Sequence, residues 1–413
     1  MDIKAVVLII LTIIYLYEMA LNRIKMRSAG NPLPENVADV YDAETYRKWK
    51  QYHGEKSRLA LTTATASWII GMLLMALNVY AAFADLFLKD NPYTQMIAVM
   101  LLSVLAELPL IPFSYYDTMR IEEKYGFNRS SKKTFWADRV KTILISLGLI
   151  IGIGCILIAV HQALGDWLIV VFAGALMLLV LVFSFLYPVF SKLFNKFTPL
   201  EDGELKERLT ALLEKHGYHV RGIKVMDASR RTTKSNAYFT GFGRMKTIVL
   251  YDTLVSRMTP DEICAVFAHE LGHGLHHDTL RNQILTSVQM LVIAVLAWLT
   301  LRNVAFYTPF GFEGVNYGFA MILIMSVEFA LIAPLFGLLV NYISRRAEYR
   351  ADEQAVKEGY GDALISGLKT LSRENLSDLS PSPLLVKLEY SHPTLSQRIA
   401  AIEKLQDKQK TEN

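Results

Sequence analysis

The chain has only two cysteines in 413 residues, which excludes a disulfide framework. Cys155 lies in an apolar run and Cys264 in an expected helix; neither has zinc-ribbon spacing, and both read as buried, reduced fillers. Charge is scarce as well. At 20% charged residues and a net charge of +4, the sequence lacks the clustered basic excess of a nucleic-acid-binding surface, and no nucleic-acid partner is expected. With 52% hydrophobic residues and a mean hydropathy of +0.28, it also lacks the polarity of a disordered chain or an ordinary soluble domain.

What it has instead is long apolar runs. A hydrocarbon core about 30 Å thick takes roughly 20 helical residues to cross, and seven stretches qualify: 3–21, 59–86, 96–116, 140–160, 167–190, 283–301 and 317–343. The first has no basic leader beyond Lys4 and runs into Asn22-Arg23-Ile24-Lys25, so it reads as a retained anchor rather than a cleaved signal. The loop after the first run carries Arg23, Lys25, Arg27, Arg47, Lys48, Lys50, Lys56 and Arg58. The loop after the third carries Arg120, Lys124, Arg129, Lys132, Lys133 and Arg139. Basic flanks resist translocation, so both loops are expected in the cytoplasm, with the N-terminus outside or lumenal and the C-terminus cytoplasmic. The chain then divides into 1–190 (spans one to five), 191–282 (a cytoplasmic segment), 283–343 (spans six and seven) and 344–413 (a second cytoplasmic segment). Glu18, Glu107 and Glu328 fall inside the runs, where a carboxylate needs either a neighbouring helix as partner or a water-filled interior. Pro109, Pro112 and Pro334 would kink the spans.

The polar blocks carry the local structure. Leu205, Leu209, Leu212 and Leu213 recur at helical spacing, with Gly217 as the stop, predicting a helix over 204–216. β-formers at 223–226, 237–242 and 247–251 predict a small sheet. Thr259-Pro260-Asp261-Glu262 is a capping box with proline in the first turn, so a helix begins there.

That helix carries His269-Glu270-Leu271-Gly272-His273, an H-E-x-x-H motif. Histidines at i and i+4 project from one helical face and can reach a single tetrahedral ion, while Glu270 stands about 100° round the helix, placed to act as a general base. A catalytic zinc usually takes three protein ligands and keeps one position open. The extended motif with a third histidine fails, because His276 stands where it needs glycine and Thr279 where it needs histidine; His276 and His277 read as helix-end residues. The stretch from Asn341 to Asp352 offers a carboxylate instead. Glu348 and Asp352 are at i and i+4, so Glu348 can ligate while Asp352 accepts the second N–H of a metal-binding histidine.

On these residues the sequence resembles the type I CaaX prenyl endopeptidases, integral-membrane zinc metalloproteases, over almost its whole length. The resemblance also rests on Glu122-Glu123-Lys124-Tyr125-Gly126-Phe127-Asn128, on Leu193-Phe194-Asn195-Lys196-Phe197-Thr198-Pro199-Leu200, on Ser235-Asn236-Ala237-Tyr238-Phe239, and on Ser391-His392-Pro393 with Arg398. It implies a mainly α fold: seven transmembrane helices form a chambered barrel, closed on the cytoplasmic side by a zinc domain with a small β-sheet. It implies one Zn2+ per chain on His269, His273 and Glu348, with Glu270 and His392 catalytic, and with Asp352, Asn341 and Arg398 supporting the site. Asn236, Ala237 and Tyr238 would form an edge strand along which substrate lies extended. The implied substrate is a peptide or prenylated protein presented from the lipid bilayer and trimmed of its last three residues.

A general quality-control protease would use the same machinery, although the shorter heat-shock membrane proteases have fewer spans than this N-terminal half provides. A transporter with a structural zinc would also suit seven spans and intramembrane carboxylates, but a structural site is usually closed by four protein ligands. An inactive scaffold would have no use for Glu270. The sequence reads equally for a bacterial inner membrane and the endoplasmic reticulum, and carries no sign of oligomeric state.

Overall fold

The structure, a computed structural model, describes residues 2–167, 170–171, 173–175, 177–178, 182, 191–217, 222–234, 236–240 and 247–412. Among them six helices are long and apolar enough to cross a membrane: α1 (Ile3–Ser28), α2 (Ala43–Ala76), α3 (Pro92–Glu122), α4 (Lys132–Leu164), α7 (Asp278–Arg302) and α8 (Tyr317–Lys357). Most of the expected fifth run, 167–190, lies outside the described residues. The first four starts have a local cause: the side chains of Asp2, Asp42, Asn91 and Ser131 accept backbone N–H bonds at the first turns of α1 to α4.

The second run is shorter than its hydropathy predicts. Its helix stops at Ala76 because Asn78 adopts the left-handed conformation (φ 58°), fixed by a 2.7 Å bond from Lys4 Nζ to Asn78 Oδ1, and 79–84 forms a separate short helix. Two apolar helices carry π-helical turns, Asp117–Glu122 at the end of α3 and Ile324–Phe329 inside α8. Such turns widen the helix and often mark functional positions.

The carboxylates expected inside the runs face cavities or partners. Glu107 lines a cavity of about 690 Å3 with Lys56, Ser67 and Arg139, and Glu18 a smaller one of about 260 Å3 with Asn22, Lys25 and Glu389. Glu328 accepts a hydrogen bond from the Thr300 hydroxyl.

The chain between α4 and α7 forms a four-stranded sheet of order β1-β2-β4-β3, with β1 (Phe197–Pro199), β2 (Gly222–Met226), β3 (Ala237–Thr240) and β4 (Thr247–Tyr251). β1 and β3 run antiparallel to their neighbours, and β2 is parallel to β4. The strand β1 has no counterpart in the sequence reading. Three residues ending in proline give no alternation, and proline is tolerated there because β1 is an edge. Helix α5 (Glu204–Lys215) ends at His216 and Gly217 (φ 69°) and buries Leu209, Leu212 and Leu213. Helix α6 (Pro260–Leu275) starts at the expected capping box: Thr259 N donates to Glu262 Oε2 (2.9 Å) and Glu262 N to Thr259 Oγ1 (3.3 Å).

The C-terminal helices α9 (Gly361–Glu374), α10 (Pro383–Leu388) and α11 (Leu395–Glu412) wrap this core. Leu376, Leu379, Leu395 and Ile399 share one apolar cluster with Val37, Val40, Trp49 and Tyr52 and with Ile121, Tyr125 and Phe127. The basic loops after the first and third runs and the C-terminal segment are therefore packed together. That explains Tyr125 and Phe127 in a motif that metal chemistry alone leaves unaccounted for.

Candidate metal centre

Helices α6 and α8 cross closely because their facing residues are small: Ala265, Ala268 and Gly272 on one side, Ala347, Ala351 and Ala355 on the other, with all five alanines and Gly272 buried. Gly272 has no alternative. A Cβ there would lie 2.8 Å from Ala351 Cα and 3.1 Å from Gln354 Cβ. This close crossing brings the two histidines of α6 up to Glu348 of α8.

His269, His273 and Glu348 offer ligand atoms that all lie within 4.8 Å of one another. His269 Nε2 is 3.5 Å from Glu348 Oε2, and His273 Nε2 is 3.3 Å from Glu348 Oε1. Ligands at about 2.0–2.1 Å in a tetrahedron stand about 3.3–3.4 Å apart, so this separation is the one a zinc-sized ion needs. Both rings turn the other nitrogen away, towards carboxylates. His269 Nδ1 is 2.8 Å from Asp352 Oδ1, and His273 Nδ1 is 3.0 Å from Asp278 Oδ2. Glu348 Oε2 is buried without a hydrogen bond. Burial alone would lower the His273 imidazole, but Asp278 and Glu348 raise it to about 10, so the donor set calls for a positive charge here. The residues fit a divalent metal.

Around the ligands, Arg398 is buried and grips Asp352 through Nε to Oδ2 (2.9 Å) and Nη2 to Oδ1 (2.5 Å), with Nη1 3.3 Å from Glu348 Oε2. Glu270 lies on the next face of α6, and burial pushes its carboxyl up. His392 Nε2 comes within 3.3 Å of Glu348 Oε1, while its Nδ1 meets Ser391 Oγ at 2.9 Å. His276 caps the end of α6, and His277 follows in the left-handed conformation (φ 54°).

Asn341 departs from its expected position. It touches no ligand; its amide donates to Leu388 O at 3.0 Å, and Arg345 donates to Tyr390 O at 2.7 Å. Two turns of helix separate Asn341 from Glu348, so its reach is to the segment before His392 rather than to the cluster. Asn236 precedes β3, the edge strand opposite β1, and its carbonyl accepts from Tyr251 N (3.1 Å). Ala237 and Tyr238 pair with Leu250 and Val249 in β4, leaving the other edge of β3 without a strand among the described residues. Ser235 lies outside them.

Sequence reasoning missed two groups. Asp278, buried at the start of α7, is joined to His273 across a left-handed turn that no periodicity reveals. Glu122 gathers Tyr52 (2.7 Å) and Lys56 (3.0 Å), one turn apart on α2, and Lys234 (3.4 Å) from the segment before β3. Its signal was present only as part of the motif from Glu122 to Asn128.

Comparison with known proteins gives a consistent picture. Residues 22–196 match the family model described as CAAX prenyl protease N-terminal, five membrane helices, and residues 199–406 match that of peptidase family M48. CAAX prenyl protease 1 of Saccharomyces cerevisiae is 32% identical, covering 92% of this chain and 90% of that protein. The CAAX prenyl protease 1 homolog of Oryza sativa is 31% identical with 96% of each covered, and that of Homo sapiens 26% identical with 94% and 93% covered. The crystal structure of S. mikatae Ste24p superposes with a TM-score of 0.89 at 30% identity, covering 98% of this chain and 99% of that one.

Proposed function

Since the chain belongs to peptidase family M48 and is an integral-membrane metalloprotease, we propose that its metal is one zinc ion, held by His269, His273 and Glu348, and that it removes the C-terminal tripeptide of prenylated CaaX proteins. The observation that carries the metal reading is the approach of each histidine Nε2 to the Glu348 carboxylate, at 3.5 and 3.3 Å, with all three ligand atoms within 4.8 Å of one another. The substrate class rests on relatives named as CAAX prenyl proteases along nearly their full length.

Zinc, when bound, supplies Lewis acidity, acidifying water towards a pKa of about 7 and polarising the scissile carbonyl. The chain's own residues do the rest. Glu270, raised by burial, takes the proton of the attacking water and returns it to the leaving amine. His392 donates an N–H to the developing oxyanion, a contribution on the order of a few kcal/mol. Asp352 and Arg398 hold His269 in the tautomer that leaves Nε2 free. The free edge of β3, entered from Asn236 and running through Ala237 and Tyr238, takes the substrate backbone as an added strand.

The same reading includes a seventh span over 167–190, a chambered barrel, and a cytoplasmic face bearing 191–282 and 344–413. The shared apolar cluster of the two basic loops and the C-terminal segment supports placing all three on one side.

Mass spectrometry of a farnesylated CaaX peptide and its unprenylated twin, incubated with the purified protein and with its Glu270→Ala variant, tests the proposal. Loss of three residues from the lipidated peptide alone, absent in the variant, is the expected result. Equal cleavage of both peptides would replace it with a general membrane protease, and cleavage of neither with a zinc-binding transporter or scaffold.

A further inference from the structure

The ligand histidines are held by two arms of the same construction. In the first, His269 leans on Asp352, which is clamped by Arg398. In the second, His273 Nδ1 meets Asp278 Oδ2 at 3.0 Å, while Asp278 Oδ1 accepts from Arg350 Nη2 at 2.8 Å and from Arg281 Nη1 at 3.3 Å. Asp278 is 5% exposed, so its carboxylate is spent on these partners rather than on water. Arg350 belongs to the helix that carries Glu348, two residues further along α8. Asp278 belongs to the first turn of α7.

We infer that Asp278, steadied by Arg350, is the positioning residue of the second metal-binding histidine: it fixes the tautomer and ring orientation of His273 so that Nε2 faces the ion. The inference rests on the metal site proposed above. Its physical basis is that an imidazole free to rotate, or protonated on the wrong nitrogen, loses its aim at the ion, and that carboxylates bonded to ligating histidines typically contribute 10–100-fold in metal affinity. The turn at His277 is what makes the arm possible. One left-handed residue separates α6 from α7 and leaves the Asp278 carboxylate beside a histidine five positions earlier. Asp278 also opens an apolar helix, so this arm ties the metal site directly to α7.

The test uses the full-length protein in detergent, comparing wild type, Asp278→Ala, Asp278→Asn and Arg350→Gln. Zn2+ affinity is read by competition with a chromophoric chelator, and ligand geometry by the visible absorption of the Co2+-substituted protein. Asp278→Ala should bind Zn2+ about 10–100-fold more weakly and shift the Co2+ bands. Asp278→Asn, which keeps an acceptor but not the charge, should fall between it and wild type, and Arg350→Gln should weaken binding in the same direction. Glu358→Gln, far from the ligands, controls for lost stability and should leave both readouts unchanged.

Wild-type affinity and spectrum in folded Asp278→Ala would overturn the inference. Should that variant fail to fold, wild-type values in Asp278→Asn and Arg350→Gln would overturn it equally. A wild-type protein that binds no Zn2+ would overturn the metal reading itself, which separates the two failures.

Discussion

Lys234 Nζ stands 3.0 Å from the hydroxyl of Tyr52 and 3.4 Å from Oε2 of Glu122. The residue that leads into the open strand β3 is thus fastened to the ends of two apolar helices. Backbone bonds reinforce it: Thr233 N donates to Phe127 O at 3.1 Å, and Arg129 N to Arg231 O at 3.0 Å. Lys234→Met should therefore loosen the strand without disturbing the ligands. We expect KM for a peptide substrate to rise about tenfold with zinc content unchanged, as read by steady-state kinetics and metal analysis; a matching fall in kcat at constant KM would contradict this.

The proposed roles of Glu270 and Glu348 predict separable losses. Glu270→Ala should retain stoichiometric zinc and lose about 10^2–10^4 in kcat, the usual worth of a general base. Glu348→Ala should lose the metal, since its carboxylate is the only group of α8 facing both histidine Nε2 atoms. Elemental analysis beside a turnover assay reads both, and a Glu270→Ala enzyme with normal turnover would end the general-base assignment.

Gly272→Ala places a methyl 2.8 Å from Ala351 Cα, where backbone rather than a flexible side chain must move. Overpacking of this kind costs about 1–3 kcal/mol. Because the same crossing sets the distance from His273 to Glu348, melting temperature and zinc affinity should fall together. A variant that is less stable but binds zinc as wild type would show that the crossing and the metal site are independent.

Glu358 gives the pH dependence. Burial would raise its carboxyl, but hydrogen bonds from Lys215 and His216, each at 2.7 Å, hold it below its ordinary value of 4.5. A lowered folded value means that the ionised form is favoured by folding. The stabilisation is present above pH 4.5 and is lost as the pH falls through the folded value. Glu358→Gln should be less stable than wild type by roughly 1–2 kcal/mol at neutral pH. The difference should shrink below pH 4.5; a gap that stays constant on acidification would refute the linkage.

What could be read from the sequence was what is local. The capping box of Thr259, the pairing of His269 with His273, and the pairing of Glu348 with Asp352 all follow from helical spacing, and the structure sets these residues on facing helices. What could not be read depended on departures from regular geometry. The second run ends early because one asparagine turns left-handed, and Asp278 reaches His273 because one histidine does. A supporting role for Asn341 is implied only by the resemblance, and its amide bonds the carbonyl of Leu388. Glu122 stands out only through resemblance, since its partners, Tyr52 and Lys56 on α2 and Lys234 before β3, are distant from it in sequence.

Helix α8 passes without interruption from its apolar stretch into the segment that carries Glu348. The last apolar residue of that stretch is Ile343, five positions before the ligand, or about 7.5 Å along the axis. The rod is therefore a depth gauge. It holds the Glu348 carboxylate at a fixed axial distance from the end of the apolar stretch, so the candidate metal site cannot move along that axis unless the apolar stretch moves with it.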